Sequence, residues 1–228
     1  MPQADVFESA AGAIKVTPVN HASLVLGFGD LTVYLDPVGS PDRYKDLPRP
    51  DLILLTHEHG DHFNPDTLAA LLMPQTRIIG SRVVIEKLEG AQAEQAEILA
   101  RGETVDFRGI EITAIPAENI SPERLKYHPP GVGNGYVLRF GGKGAYVSGD
   151  TEDTAEMRAL EDIDIAFLPM NQPYTMTGQQ AADAARAFRP KVVYPFHYLG
   201  GAENGVFATE LAGEPGIEVR MRDWYAEG

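Results

Sequence analysis

Hydrophobic and polar positions in the first third of the chain alternate in short blocks, which are separated by Gly, Asp and Pro. Such blocks are typical of β-strands, and they fall at residues 14–18, 23–28, 31–35 and 52–56. Asn64 and Pro65 then match a helix N-cap followed by a proline at the first helical position, and the segment 67–73 supplies an apolar face. The pattern predicts a strand, a loop and a helix in succession here.

The remainder of the chain mixes the two kinds of element. The pattern predicts strands at 103–107, 110–115, 136–140, 145–148, 163–168, 192–195 and 217–221, and helices at 81–88, 154–160 and 179–188. The stretch 118–133 contains three prolines and no clear period, and loops of this length tend to be functional. Strands first, then strands alternating with helices, predict sheets with helices on their outer faces. We expect one domain over residues 1–228.

Composition narrows the classes of protein to which the chain can belong. With 43% hydrophobic and 23% charged residues, the 228-residue chain resembles an ordinary globular protein. It has no cysteine, so a metal must be held by His and carboxylate ligands. A net charge of -14 repels phosphate backbones and anionic lipids, so we expect a small-molecule substrate and neither nucleic acid nor membrane as partner.

The N-terminal region and the lengths of the apolar runs bear on localisation. Residues 1–12 lack the basic start and the apolar stretch of a signal peptide, and no apolar run approaches the length needed to cross a bilayer. We therefore expect a soluble, cytoplasmic protein. The sequence does not predict an oligomeric state.

Three of the six histidines fall within six consecutive positions, in the sequence His-Glu-His-Gly-Asp-His. His57 and His59 are expected to project to the same side at a strand end, while Gly60 lets the backbone turn so that Asp61 and His62 approach from the loop. Imidazole and carboxylate donors suit Zn²⁺, Fe²⁺ or Mn²⁺. The alternative, a solvated histidine-rich loop, leaves this cluster beside an apolar strand without a purpose. A divalent metal site is the prediction, with zinc first and manganese or iron as alternatives.

The pattern His-x-His-x-Asp-His resembles the signature of the metallo-β-lactamase superfamily. Other motifs extend the resemblance in the family's order: Asp36 is similar to its strand-ending aspartate, Asp150 in Ser-Gly-Asp-Thr to its metal-bridging aspartate, and His197 in Pro-Phe-His-Tyr to its closing histidine. The resemblance implies an α/β fold of four layers, the αββα sandwich, in which two mixed sheets are flanked by helices. Segments 19–23 and 174–177 look most like the branch that includes L-ascorbate-6-phosphate lactonase.

The resemblance also implies a set of ligands for one or two metal ions. It assigns His57 and His59 to one metal, Asp61, His62 and His197 to the other, and Asp150 to the bridge between them. Without the resemblance, His197 is a lone histidine after an apolar strand. A buried histidine with its hydrogen bonds satisfied would explain it as well as a metal ligand would.

One departure from the family pattern concerns the first metal. The usual third histidine should follow residues 114–117, where this chain has Glu118 and Asn119. Relatives that resemble the chain here share the asparagine and a later His-Pro, like His128-Pro129. The alternatives are that His128 reaches in as a ligand or a substrate contact, that Asn119 coordinates, that Glu118 substitutes, or that only the second site fills. A surface position for His128 is the remaining reading.

Three residues are candidates for catalysis: Asp61, His128 and His21. Asp61 is expected to orient the attacking water and accept its proton. By similarity to the branch, His21 lies near the site, where it orients a neighbour or contacts substrate; a plain hydrogen bond at a strand start is the alternative. Asp36 is expected to orient the imidazoles of ligand histidines and not to bind metal directly, because carboxylate partners fix the tautomer of metal-bound histidines.

The expected activity is hydrolysis by a metal-activated hydroxide, which forms because the metal lowers the pKa of bound water to about 7. The expected substrate is a small anionic lactone, ester or phosphoester. One alternative is a metal-binding or regulatory module without turnover, given the missing histidine. Another is a phosphodiesterase or nuclease of the same fold, for which Arg124, Lys126 and Lys143 would have to line a groove. A phospholipase is disfavoured, because the sequence shows no basic amphipathic segment that would anchor the protein to a membrane.

Overall fold

The structure is a computed structural model that describes residues 4–225. The chain divides into two compact units. Among the described residues, one unit consists of those up to Ala100 together with those from Asp223, and the other is Arg101–Arg222. The single domain expected from the sequence stays a prediction.

The described part of the first unit forms one mixed sheet of seven strands, which follow one another in sequence order across the sheet. The first four strands pair antiparallel and the last three continue in parallel. The strands are β1 (Asp5–Ser9), β2 (Gly12–Asn20), β3 (Ser23–Phe28), β4 (Leu31–Leu35), β5 (Leu52–Leu55), β6 (Arg77–Gly80) and β7 (Ala96–Ile98).

Helices of the first unit connect its parallel strands, as parallel pairing requires a crossover. They are α1 (Pro65–Leu71), α2 (Arg82–Ile85) and α3 (Gly90–Glu94). The Asn64 side chain caps α1 by accepting the backbone N–H of Thr67 at 2.9 Å, as the sequence predicts. Leu68 and Leu71 of this helix pack with Ile53 and Leu55 of β5 in one buried cluster, which fixes the loop after β5.

The described second unit repeats this plan with seven further strands, antiparallel for the first four and parallel thereafter. The strands are β8 (Thr104–Phe107), β9 (Ile110–Ala117), β10 (Gly133–Phe140), β11 (Lys143–Val147), β12 (Ile165–Pro169), β13 (Val192–Phe196) and β14 (Glu218–Val219). Its helices are α4 (Ala155–Arg158), α5 (Gly178–Phe188) and α6 (Glu203–Glu210). Helix α5 buries alanines and Phe188 against Tyr146 and Val193 of the sheet.

The predicted elements are recovered with shifted ends, and several short elements were missed. The sequence predicts β2 to β5 and α1 near their observed bounds, and it predicts the β10–β11 hairpin. It does not predict β1, β6, β7, α3 or α6. Except for α6, these have three to five residues, too few to display a period. Within residues 4–225, the helices are all too short or too polar to span a bilayer.

A buried hydroxyl in the second sheet gives a prediction about stability. The Tyr146 hydroxyl is inaccessible, and no residue that the structure describes offers it a hydrogen-bond partner. Burial also raises the pKa of this phenol far above its usual range. Because an unsatisfied buried polar group costs about 1–3 kcal/mol, Tyr146→Phe is expected to raise the free energy of unfolding by about 1 kcal/mol. Urea denaturation of both proteins measures this, and a destabilised variant would contradict it.

Candidate metal centre

Asp36 organises the candidate site of the first unit. It follows β4 and is buried, with 2% of its surface exposed. Its carboxylate accepts the backbone N–H of Thr56 at 2.8 Å, the Thr56 hydroxyl at 2.6 Å and Nδ1 of His62 at 2.7 Å. The loop after β5 is therefore tied to the end of β4, and Asp36 acts on the histidines as the orienter that the sequence suggests.

These hydrogen bonds decide which nitrogen of each imidazole carries the proton. A carboxylate only accepts, so Nδ1 of His62 donates to Asp36 and Nε2 keeps its lone pair. The Thr56 hydroxyl gives its proton to Asp36 and lies 2.9 Å from Nδ1 of His57, so this nitrogen also donates. In their neutral forms, His57 and His62 thus both present an Nε2 lone pair, as a metal ligand must.

His57 and His59 face each other at the same loop. Nε2 of His57 lies 3.1 Å from Nδ1 of His59, and the ring centroids of His57 and His62 are 4.2 Å apart. Two nitrogens that bind one zinc tetrahedrally at 2.0–2.1 Å lie about 3.3 Å from each other. The spacing of His57 and His59 therefore fits a shared cation.

His21 lies in the tight turn between β2 and β3 and holds Asp61. Its Nε2 is 3.2 Å from Oδ2 of Asp61, and its Nδ1 is 2.8 Å from the hydroxyl of Tyr225. The side chain of Asp61 is half exposed. His21 therefore orients the carboxylate that the sequence assigns to metal and water, and its backbone N–H is fixed by the carbonyl of Trp224 at 3.1 Å.

The second unit gathers three further predicted residues around one carboxylate oxygen. Oδ2 of Asp150 lies 3.2 Å from Nε2 of His128 and 3.3 Å from Nε2 of His197. All three side chains are buried. His128 is therefore not a surface histidine, and His197 is not packed in a purely apolar core. An oxygen flanked by two imidazole nitrogens matches the bridging role that the resemblance gives Asp150.

Several of these residues have left-handed backbone conformations. The φ angles are 52° for His21, 42° for Asp36 and 47° for His197, and Gly149 before Asp150 has 63°. A non-glycine residue there is strained, at a cost of about 1–3 kcal/mol, and such strain concentrates at functional sites. Each of these residues follows a strand, so the left-handed turn redirects the chain where the side chain is needed.

The loop that carries His128 is fixed by a buried carboxylate, Glu152. Its oxygens accept the backbone N–H groups of Ile120 and Ser121 at 2.8 and 2.6 Å, and it pairs with Arg124 at 2.6 Å. Burial by itself raises the pKa of Glu152, but the hydrogen bonds from Ser121, Ile120 and Gln180 outweigh it and hold the pKa below its usual range. Glu152 is therefore ionised at neutral pH.

The structure brings together His21, His57, His59, Asp61 and His62 in the first unit, and His128, Asp150 and His197 in the second. Sequence reasoning missed three contributors: Thr56, whose hydroxyl connects Asp36 to His57, Tyr225, which holds His21, and Glu152. Thr56 directly precedes the His-x-His-x-Asp-His motif, so its position in the sequence could have indicated its role. Tyr225 is distant in sequence from His21, so no spacing could have indicated it.

The donor set fits a divalent cation of the zinc class. Imidazole nitrogens whose opposite ring nitrogen donates to a carboxylate, a hydroxyl or a carbonyl, together with carboxylates, are the usual ligands of such ions. Each unit supplies donors of this kind among the residues described above. The same donor set also suits manganese and iron.

Comparison with known proteins gives the family. Residues 15–197 match the model of the β-lactamase superfamily domain. A UPF0173 metal-dependent hydrolase from Thermus thermophilus is 31% identical over 216 residues, which cover 90% of this chain and 94% of that protein.

Two solved structures show the same fold. One, from Parabacteroides distasonis, is 42% identical and has a TM-score of 0.89, covering 98% of this chain and 99% of the other. Igni18, a metallo hydrolase from Ignicoccus hospitalis, is 23% identical and has a TM-score of 0.75, covering 91% of this chain and 94% of the other. At this identity the similarity supports the fold alone. The two mixed seven-stranded sheets with their helices confirm the predicted fold class. The chain belongs to the β-lactamase superfamily and is a metal-dependent hydrolase of its UPF0173 group.

Proposed function

We propose that this hydrolase cleaves an ester, lactone or phosphoester bond in a small anionic substrate, with one or two zinc ions as cofactor and manganese or iron as alternatives. The observation that carries the proposal is the hydrogen-bond network of Asp36. Asp36 holds His62 directly and His57 through the Thr56 hydroxyl, and it fixes both in the tautomer that a metal ligand requires.

The proposed metal ligands are His57, His59, Asp61, His62, Asp150 and His197. Their assignment rests on the order of the family's motifs along the chain. The geometry within each unit supports it, because the donors of the first unit cluster after β5 and those of the second surround Asp150. The proposed catalytic residues are Asp61, His21 and His128.

Bound divalent ions of this class supply Lewis acidity and lower the pKa of a coordinated water. The protein's own contribution would be Asp61, which would orient a water molecule and accept its proton. His21 lies 3.2 Å from Asp61 and is itself held by Tyr225 at 2.8 Å. Asp61 is consequently restrained in one orientation before substrate arrives, which reduces the reorganisation needed for reaction.

An anionic substrate is supported by the loop that carries His128. Lys126 is exposed there and lies 4.9 Å from the ring centroid of Tyr127. Of the basic residues considered for a nucleic-acid groove, Arg124 pairs with Glu152 and Lys143 with Asp164. The charge of -14 opposes a polyanion, so we propose a small substrate and neither nucleic acid nor membrane as partner. A cytoplasmic location remains part of the proposal.

The experiment is elemental analysis of the purified protein combined with a panel of lactones, carboxylic esters, phosphomonoesters and phosphodiesters. Chelated protein should be inactive, and zinc, manganese or iron should restore hydrolysis of one bond class. His59→Ala and Asp61→Ala should lose metal and turnover together. The matched control is Glu94→Gln, which alters an exposed acid of α3 and should leave both unchanged.

Three outcomes would contradict the proposal. Turnover by metal-free protein would remove the metal from the reaction. Stoichiometric metal without hydrolysis of any bond class would favour the non-catalytic alternative. Hydrolysis of RNA or DNA in preference to the small substrates would favour the nuclease alternative.

A further inference from the structure

The ring of His128 is oriented by a backbone carbonyl. Its Nδ1 lies 3.1 Å from the carbonyl oxygen of Tyr174, and since a carbonyl only accepts, this nitrogen carries the proton. Nε2 is then the nitrogen directed at Asp150, whose Oδ2 is 3.2 Å away. This is the same tautomer that His57 and His62 adopt in the first unit.

The contact between His128 and Asp150 calls for a positive charge. A neutral imidazole with its proton on Nδ1 presents a lone pair at Nε2, and a carboxylate oxygen at 3.2 Å presents another. Two lone pairs at this distance repel unless a cation lies between them, and two donor atoms that bind one zinc ion tetrahedrally lie about 3.3 Å apart. Nε2 of His197 makes the same approach to the same oxygen at 3.3 Å, so the spacing of all three donors fits a bound cation.

The loop that bears His128 is built to hold it in this place. Asn119, which is fully buried, donates from its backbone to the carbonyl of His128 at 2.8 Å. The Asn119 amide donates to the carbonyls of Arg124 at 3.0 Å and Tyr174 at 2.7 Å. The ion pair of Arg124 with Glu152 also fixes this loop. Fixed surroundings on this scale are expected for a residue that must keep a defined position in a functional site.

We propose that His128 is a metal ligand beside Asp150 and His197 of the second unit, with Asn119 and Glu152 as positioning residues. This inference rests on the proposed function, since it adds a donor to the proposed ligand set. In the sequence, Asn119 occupies the position of the absent histidine. Its contribution to the site is indirect, because it holds the loop that carries His128.

The test uses the absence of cysteine from the chain. His128→Cys substitutes one metal-binding side chain for another, so the Co²⁺-loaded variant should show a thiolate-to-cobalt charge-transfer band that wild type cannot have. Glu123→Cys, an exposed position in the same loop, is the matched control and should show none. In competition with a chelator, His128→Ala should bind Zn²⁺ more weakly by about 100-fold, while His128→Cys retains most of the affinity.

Glu152→Gln tests the positioning role. It weakens the hold on the loop without removing a donor, so we expect zinc affinity to fall by about 10-fold and trypsin to cleave more readily after Arg124 and Lys126. Glu123→Gln removes the same charge from the exposed part of the loop and should change neither. If Glu152→Gln lowered the melting temperature at unchanged zinc affinity, its role would be structural only.

Wild-type cobalt and zinc binding separates this inference from the proposed function. If wild type binds neither of these ions, nor manganese or iron, the proposed function fails. If wild type binds them, the absence of the band in His128→Cys together with unchanged zinc affinity in His128→Ala overturns the ligand role of His128 alone.

Discussion

Replacing Asp36 with alanine is expected to lower the free energy of unfolding by about 3 kcal/mol or more and metal affinity by about 10–100-fold. The carboxylate accepts three hydrogen bonds, from the backbone and hydroxyl of Thr56 and from His62. Alanine leaves buried donors without an acceptor, and it releases the restraint that keeps Nε2 of His57 and His62 free of a proton. Chemical denaturation measures the first effect and chelator competition the second.

Asp66→Ala is the matched control for this variant. Asp66 is an exposed carboxylate in the first turn of α1, where an acidic residue contributes about 0.3–1 kcal/mol through the helix dipole. Zinc affinity should not change. If Asp36→Ala bound metal as tightly as Asp66→Ala does, the network around Asp36 would not prepare the site.

Gly135→Ala is expected to destabilise the second unit by about 3 kcal/mol, at the upper end of the range for overpacking. Gly135 lies in β10, and an added Cβ would meet the carbonyl oxygen of Ser148 at 2.6 Å and that of Val147 at 2.9 Å. Backbone cannot rotate away as a side chain does, so the end of β11 must shift. Asp150 lies two residues after Ser148, and metal affinity should fall with stability.

The control for Gly135→Ala is Gly205→Ala. Gly205 lies in α6, and its added Cβ would meet no atom within 4 Å. Alanine in a helix is favoured over glycine by about 0.5–1 kcal/mol, so this variant should be equally stable or slightly more stable. Equal effects of the two substitutions on thermal melting would refute the steric explanation.

Much of the site could be predicted because its residues are clustered in short motifs. The family pattern around His57 needs no knowledge of distant contacts, and each of Asp36, Asp150 and His197 follows a recognisable apolar strand. The predicted strands β2 to β5 have alternating or continuous apolar patterns that tertiary packing reinforces.

The remaining features depend on contacts between residues far apart in sequence. Nothing local to Tyr225 indicates that it bonds His21, and nothing local to Glu152 indicates that it fixes the loop of His128. The repeated strand order of the two units also escaped prediction, because short strands such as β6 and β7 carry no period of their own. The sequence identifies the chemical groups, whereas only the fold shows what holds them.

The left-handed conformations of His21, Asp36 and His197 bear on any attempt to make this enzyme more heat-resistant. Glycine or asparagine at these positions would relax the backbone, and a search that scores stability alone would choose them first. The same exchange would delete the imidazole or carboxylate that the turn exists to present. Engineers should therefore look for added thermal tolerance in the sheet interior, around groups such as Tyr146, and leave these turns untouched.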